Sequence, residues 1–239
     1  MTFSDLLNLG YFGFNFGMED NWNSNILGLA FLGCAIIAYL LGSINCGVII
    51  SKDRYGKDIR ESGSGNAGTT NMFRTYGKKA AALTFIGDVL KTAAAIIVGR
   101  VFLGYLGAFI AGFFCILGHA YPIFFKFKGG KGVVCISTMC LLTNPGVFLI
   151  MLGIFLIVLF GFKMVSLASV MIMVIYPFVL FNIGSKGPGL HVALGALCAW
   201  FIVYLHRENI KRIYNHKEST ISFGKNKDKK GKKSYKDED

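Results

Sequence analysis

The sequence predicts an all-α integral membrane protein with about seven transmembrane helices, its N-terminus outside and its C-terminus in the cytoplasm. Three observations carry this. Hydrophobic residues make up 54% of the 239-residue chain, charged residues only 16%, and the mean hydropathy is +0.54. A water-soluble core of that size could not hide so much apolar surface. Apolar stretches recur at the ~20-residue length that a ~30 Å hydrocarbon layer requires. The basic residues, finally, fall into alternate connections between those stretches.

Residues 1–25 hold Asp5, Glu19 and Asp20 but no Lys or Arg. They lack the basic start of a cleaved signal peptide and read as an extracellular, interfacial extension. A membrane domain over 26–218 follows, with candidate spans at 26–50, 80–98, 102–124, 132–142, 146–161, 166–183 and 190–205. Of 25 basic residues, seven lie in 51–79, three in 125–131, one at Lys163 and eleven from His206 onward. If every candidate crosses, those groups share one side, and the positive-inside rule makes that side cytoplasmic. The fourth span reaches only about 18 Å at 1.5 Å per residue. Turning it back would put Lys163 and the basic tail outside, so it is expected to cross, with its glycine flank in a protein-lined recess. Asn144-Pro145-Gly146 marks its outer turn. Residues 219–239 form a Lys-rich tail, expected to be disordered beside anionic membrane lipids. No aromatic or arginine pattern accompanies its charge, which excludes nucleic acid as a partner. The six cysteines lie in spans without a C-x-x-C pair and read as packing residues.

Three clusters at the cytoplasmic ends carry the chemistry. In 56–74, Gly63, Gly65 and Gly68 let backbone N–H groups turn toward an anion. Ser64, Thr69, Thr70, Asn66 and Asn71 add side-chain donors, and Arg74 can fork onto phosphate oxygens. Gly63-x-Gly65-x-x-Gly68 is no dinucleotide fingerprint, since a charged loop and not a buried strand precedes it. In the second cluster, Gly118-His119-Ala120-Tyr121-Pro122 leads to Phe127-Lys128-Gly129-Gly130-Lys131-Gly132. There Lys131 stands between glycines at the start of an apolar helix, placed to meet an anion with the free N–H groups. The third, His206-Arg207-Glu208-Asn209-Ile210-Lys211-Arg212, is expected to continue the last span as a helix with His206 and Asn209 on one face. Ser166 and Ser169 begin the sixth span, as caps or ligand donors. Asp88 and Lys91, three apart inside the second span, read as a structural ion pair.

Ser64-Gly65-Asn66-x-Gly68-x-Thr70-Asn71-x-x-Arg74, Gly118-His119-x-Tyr121-Pro122 with Phe127-Lys128-Gly129-Gly130-Lys131-Gly132-Val133, and His206-Arg207-x-Asn209-Ile210-x-Arg212 together resemble the PlsY family of bacterial acyl-phosphate:glycerol-3-phosphate acyltransferases. Order and spacing agree from Leu40 to Glu218, while Asn45, Thr92, Cys135 and His216 depart from the usual pattern. The resemblance implies transfer of a fatty acyl group from acyl phosphate to the 1-hydroxyl of sn-glycerol 3-phosphate, at the cytoplasmic face of the cell membrane, with lysophosphatidic acid and phosphate as products. It further implies a polar pocket with Arg74, Lys131, His206 and Asn209 as catalytic residues. Ser64, Gly65, Asn66, Thr70, Asn71, Gly130, Gly132, Ser166 and Ser169 would bind substrate and shape the walls.

Absent motifs agree. No His has an Asp five residues on, and no G-x-S-x-G elbow occurs. The cytoplasmic acids are few and interspersed with bases, against a metal-binding aspartate cluster. An acyl phosphate is already activated, so the expected mechanism is direct transfer with no cofactor, metal or acyl-enzyme, the leaving phosphate accepting the hydroxyl proton. His206 as general base is the other mechanism. A transporter or channel for phosphate-bearing solutes is the other function, one that would call for polar residues on the outer half of the spans.

Overall fold

The structure, a computed structural model, describes residues 24–184 and 189–221; the extension before residue 24 and the tail after 221 lie outside the described residues. Among those described, the regular structure is helical: α1 Ser24–Ser43, α2 Cys46–Tyr55, α3 Thr69–Tyr76, α4 Lys78–Ala120, α5 Val133–Thr143, α6 Pro145–Phe162, α7 Val165–Val179, α8 Leu190–Leu205 and α9 Arg207–Tyr214. Four helical segments are long and apolar enough to cross a membrane, or five if the bent pair α8 and α9 counts as one span. Their outward faces are apolar, with Leu149, Ile157 and Phe160 more than 60% exposed on α6. That surface suits lipid and would aggregate in water.

The predicted first span, 26–50, is interrupted. The helix stops at Ser43 and restarts at Cys46, with Asn45 capping α2 by accepting from Val48 N at 3.1 Å. The break frees the carbonyls of Gly42 and Ile44, and the Lys91 ammonium donates to both, at 3.0 and 2.7 Å. An unpaired carbonyl inside hydrocarbon costs several kcal/mol, of order the desolvation of a peptide group, so a buried lysine here is a structural answer to a helix break.

The 43 residues of α4 fold back on themselves. Leu103 and Gly104 leave helical geometry, Gly104 with φ +64°, and Gly99 and Gly107 then lie against each other. A Cβ on Gly99 would stand 2.3 Å from Gly107 O, whereas eight residues along a straight helix are about 12 Å apart. Residues 78–102 and 105–120 are therefore antiparallel arms, and the reversal at Leu103-Gly104 falls inside the span expected at 102–124, just after the connection read at 99–101. Asn144 starts α6 as the Asn-Pro-Gly turn requires, accepting from Val147 N at 3.1 Å with Pro145 at the first helical position. The last span does not continue straight, as expected, but bends by 56° at His206. There the His206 N–H falls back on Val203 O and Ile202 O, and the helix after it turns Asn209 inward while Ile210 and Tyr214 stay exposed.

One consequence is measurable. Gly99→Leu is expected to lower stability by about 1–3 kcal/mol through overpacking of the hairpin, seen as a lower unfolding midpoint in detergent. Gly28→Leu, at a glycine with no neighbour within 4 Å, should leave that midpoint unchanged.

Candidate active site

The three clusters meet at one end of the bundle, where α3, α5, α7 and the α8–α9 bend all begin or turn. Each loop is held by side chains bonding to backbone. Asn71, buried, donates to Ser62 O and Asn66 O at 2.9 Å and Ile59 O at 3.2 Å, and accepts from Ser64 N at 2.9 Å. Gly63 (φ +61°) and Gly65 (φ +73°) make the turns that let the loop close on that amide. Arg60 grips Asp58 through Nε and Nη2 and reaches with Nη1 to Phe125 O (2.7 Å) and Lys128 O (2.8 Å). The first cluster is thus tied to the second.

Between the loops lies a polar cavity of about 210 Å³. It is lined by Ser64, Asn66, Thr70, Asn71, Arg74, Lys131, Gly132, Ser166, Ser169, His206 and Asn209, every expected site residue except Gly65 and Gly130. Those two act from behind the wall, Gly65 through its turn and Gly130 by lying against the His119 ring. Gly68 precedes α3 without any side-chain cap, which leaves the first N–H groups of that helix open to the cavity. Thr69 Oγ1 stands among them, buried and with no partner.

The cations and their acceptors form one network. Lys131 Nζ donates to Asn209 Oδ1. Asn209 Nδ2 donates to Glu218 Oε1 at 2.9 Å, as does Ser166 Oγ, while Arg212 Nε donates to Glu218 Oε2 at 2.8 Å. Arg74 Nη2 donates to Ser219 O at 3.3 Å. Burial, then Arg212 and Arg74, push the Lys131 pKa down to about 8, with Glu218 opposing. Burial pushes His206 down to about 4, Lys131 adding to the effect and the Ile202 carbonyl opposing. His206 Nδ1 lies 2.8 Å from that carbonyl and so carries the proton, leaving Nε2 as an acceptor. Burial opposes ionisation of Glu218, but the bonds from Arg212, Asn209 and Ser166 together hold its carboxyl below the usual range.

Four residues with roles here were not named as site residues from the sequence. Arg60 and Glu218 act through partners distant in the chain, and Asp88 and His119, read there as half of an ion pair and as part of the second cluster, line the cavity from α4. An apolar cavity of about 220 Å³ adjoins the polar one, sharing Val133, Val134 and Phe155 with it and running past Ile136, Met151, Ile172 and Tyr176. A space with donors and cations at one end and hydrocarbon at the other suits an amphiphile with an anionic head.

The fold and site are those of an integral membrane acyltransferase. Residues 32–216 match the glycerol-3-phosphate acyltransferase family model, and the chain belongs to that family. The glycerol-3-phosphate acyltransferase of Bacillus subtilis is 42% identical over 188 residues, 79% of this chain and 96% of its own. That of Alkaliphilus metalliredigens is 38% identical over 186 residues, 78% and 93% of the two chains. The crystal structure of PlsY (YgiH), an integral membrane glycerol 3-phosphate acyltransferase, in its glycerol 3-phosphate form superimposes with a TM-score of 0.75 at 35% identity, covering 80% of this chain and 96% of that one. The chain is an acyltransferase acting on glycerol 3-phosphate, which removes the transporter reading.

The depressed Lys131 pKa gives a pH signature. Lys131 loses its proton as the pH rises through about 8, so kcat/KM for glycerol 3-phosphate should fall on that alkaline side. A bound phosphate dianion raises the lysine pKa, so kcat should show the limb at higher pH. Lys131→Arg, permanently charged, should remove the limb from kcat/KM even if activity is lower.

Proposed function

We propose that the chain transfers a fatty acyl group from an acyl phosphate to the 1-hydroxyl of sn-glycerol 3-phosphate, at the cytoplasmic face of the cell membrane. The junction of the cationic and apolar cavities at Val133, Val134 and Phe155 carries the reading. An acyl phosphate placed across it has its chain among α5, α6 and α7 and its mixed anhydride beside Lys131. Glycerol 3-phosphate from the cytosol meets Arg74, which also faces a more open pocket with Arg212 and Ser219.

The glycerol 1-oxygen attacks the acyl carbonyl carbon, the carbon–oxygen bond to phosphate breaks, and the hydroxyl proton passes to the departing phosphate. The products are lysophosphatidic acid and inorganic phosphate. Lys131, Arg74 and the open N–H groups of α3 stabilise charge on both phosphates. Ser64, Asn66 and Thr70 position substrate oxygens, and Asn71 keeps their loop in shape. His206 Nε2 binds substrate as an acceptor for the glycerol 2-hydroxyl, which leaves the 1-hydroxyl proton free to pass to the phosphate. The scheme takes direct transfer without a metal; that no acyl-serine forms is supported by where the serines point, Ser166 Oγ donating to Glu218 and Ser169 Oγ to Val165 O, both at 2.9 Å. Ser169 has no base beside it, and the Glu218 carboxylate beside Ser166 already accepts from Asn209 and Arg212, which weakens it as a base.

The same reading takes seven crossings, N-terminus outside and C-terminus in the cytoplasm. α1, the two arms of α4, α5, α6, α7 and α8 are the seven apolar segments. The 11-residue α5 spans about 16 Å and is preceded by a polar stretch in which Gly130 and Gly132 are buried, which shortens the distance it must cover.

Purified protein should release phosphate from an acyl phosphate only when glycerol 3-phosphate is present, and should prefer that donor over acyl-CoA or acyl-carrier-protein thioesters. Preference for a thioester, loss of activity to a chelator, or a trapped acyl-serine would overturn the scheme. His206→Gln should act chiefly on KM; a loss of about 10²-fold or more in kcat at saturation would instead make His206 the base.

A further inference from the structure

Asp88, Lys91 and His119 form a buried cluster behind the polar cavity, 1%, 6% and 4% exposed. Lys91 Nζ lies 2.9 Å from Asp88 Oδ1 and 2.9 Å from His119 Nδ1, besides its two carbonyl acceptors on α1 and the residue after it. An ammonium has three hydrogens and only donates; Asp88 Oδ1 receives none of them and is paired by charge alone. His119 Nδ1 must therefore accept, and the ring proton sits on Nε2. That edge of the ring faces Gly130: a Cβ there would stand 2.1 Å from Nε2. The backbone closes the same contact, Gly130 N donating to His119 O and Gly129 N to Ala120 O, both at 3.0 Å. Lys131 is the next residue.

We propose that His119 is a positioning residue: locked by Lys91 in the Nε2–H form, its ring is the floor on which Gly130 rests, and it holds the Lys131 ammonium inside the cavity. The ion pair read from the sequence as structural thereby acts on the site through a histidine. Without that floor the glycine pair has no side chain of its own to fix its path, and Lys131 moves toward solvent. The groups facing Lys131 are Arg74 from α3, Asn209 and Arg212 from α9, His206 at the bend, Glu218 after α9, and Asp88 and His119 from α4.

The kinetic part rests on the proposed function; the titration part does not. Full-length protein in detergent is acylated with a water-soluble succinimidyl acetate across pH, and the rate at Lys131 is read by peptide mass spectrometry. Wild-type reactivity should be half-maximal near pH 8. His119→Leu and Lys91→Met should each move that midpoint up by about one unit or more, toward an ordinary lysine near 10.4, and raise KM for glycerol 3-phosphate about tenfold with kcat within about threefold. A folded His119→Leu protein with an unmoved midpoint overturns the proposal. If neither variant folds, nitrogen NMR of ¹⁵N-histidine wild-type protein decides: a neutral Nε2–H imidazole at His119 supports it, and an Nδ1–H form or an imidazolium refutes it. Absence of acyl transfer from acyl phosphate in wild type, with the midpoint shifts intact, would sink the proposed function and leave this inference standing.

Discussion

Cations crowded into a buried cavity lose hydration and repel one another, and the Glu218 carboxylate is what makes the crowding tenable here. It accepts from Ser166 on α7 and from Asn209 and Arg212 on α9, so one anion joins elements that approach from different sides. Its effect also runs further. With Nδ2 committed to Glu218, Asn209 must turn Oδ1 outward, and that oxygen is what the Lys131 ammonium meets. A single carboxylate thus fixes an amide orientation and offsets the charge of a lysine it does not itself hydrogen-bond. The compensation is partial, which is why Lys131 sits near 8 rather than in the ordinary lysine range. A cation left short of compensation favours the arrival of an anion.

Polar loops at the end of a membrane bundle have little apolar surface to bury, so hydrogen bonds from buried side chains must order them. Asn71 and Arg60 do this for the first two clusters, each meeting several backbone carbonyls at once. Losing either would leave several acceptors unpaired together. The shape of the cavity therefore depends as much on these two as on the residues whose polar groups face into it.

What was legible in the sequence was what local pattern encodes. Apolar length marked the helices, the distribution of lysine and arginine marked which ends belong together, and glycine spacing marked loops able to approach an anion. The residues so named converge. What was illegible was set by contacts across the chain. The interruption at Ile44-Asn45 lies inside a stretch that reads as one span, 26–50, and is tolerated because Lys91, 47 residues on, takes the Ile44 carbonyl. A break was read at 99–101, but the reversal itself falls at Leu103-Gly104, spelled by one glycine among many. The bend at His206 separates two stretches whose helical periodicity each looks continuous. Arg60 reads as one more loop cation until its partners at Phe125 and Lys128 are seen.

The proposed proton path follows from three affinities placed in order. A phosphate monoester dianion takes up a proton near pH 6. His206, near 4, is a weaker base than that group and holds its one proton against the Ile202 carbonyl, so a hydroxyl proton delivered to Nε2 would create an imidazolium in a buried site beside Lys131. Lys131, near 8, is protonated at neutral pH and has no vacancy. Between a base too weak and a base already filled, the leaving phosphate is the acceptor of lowest cost, and it gains basicity as its bond to the acyl carbon breaks. The protein then need not cycle a proton through any side chain. Its contribution is to align two anions that would otherwise repel, which is the work that a fixed set of cations and helix-end N–H groups performs without changing state.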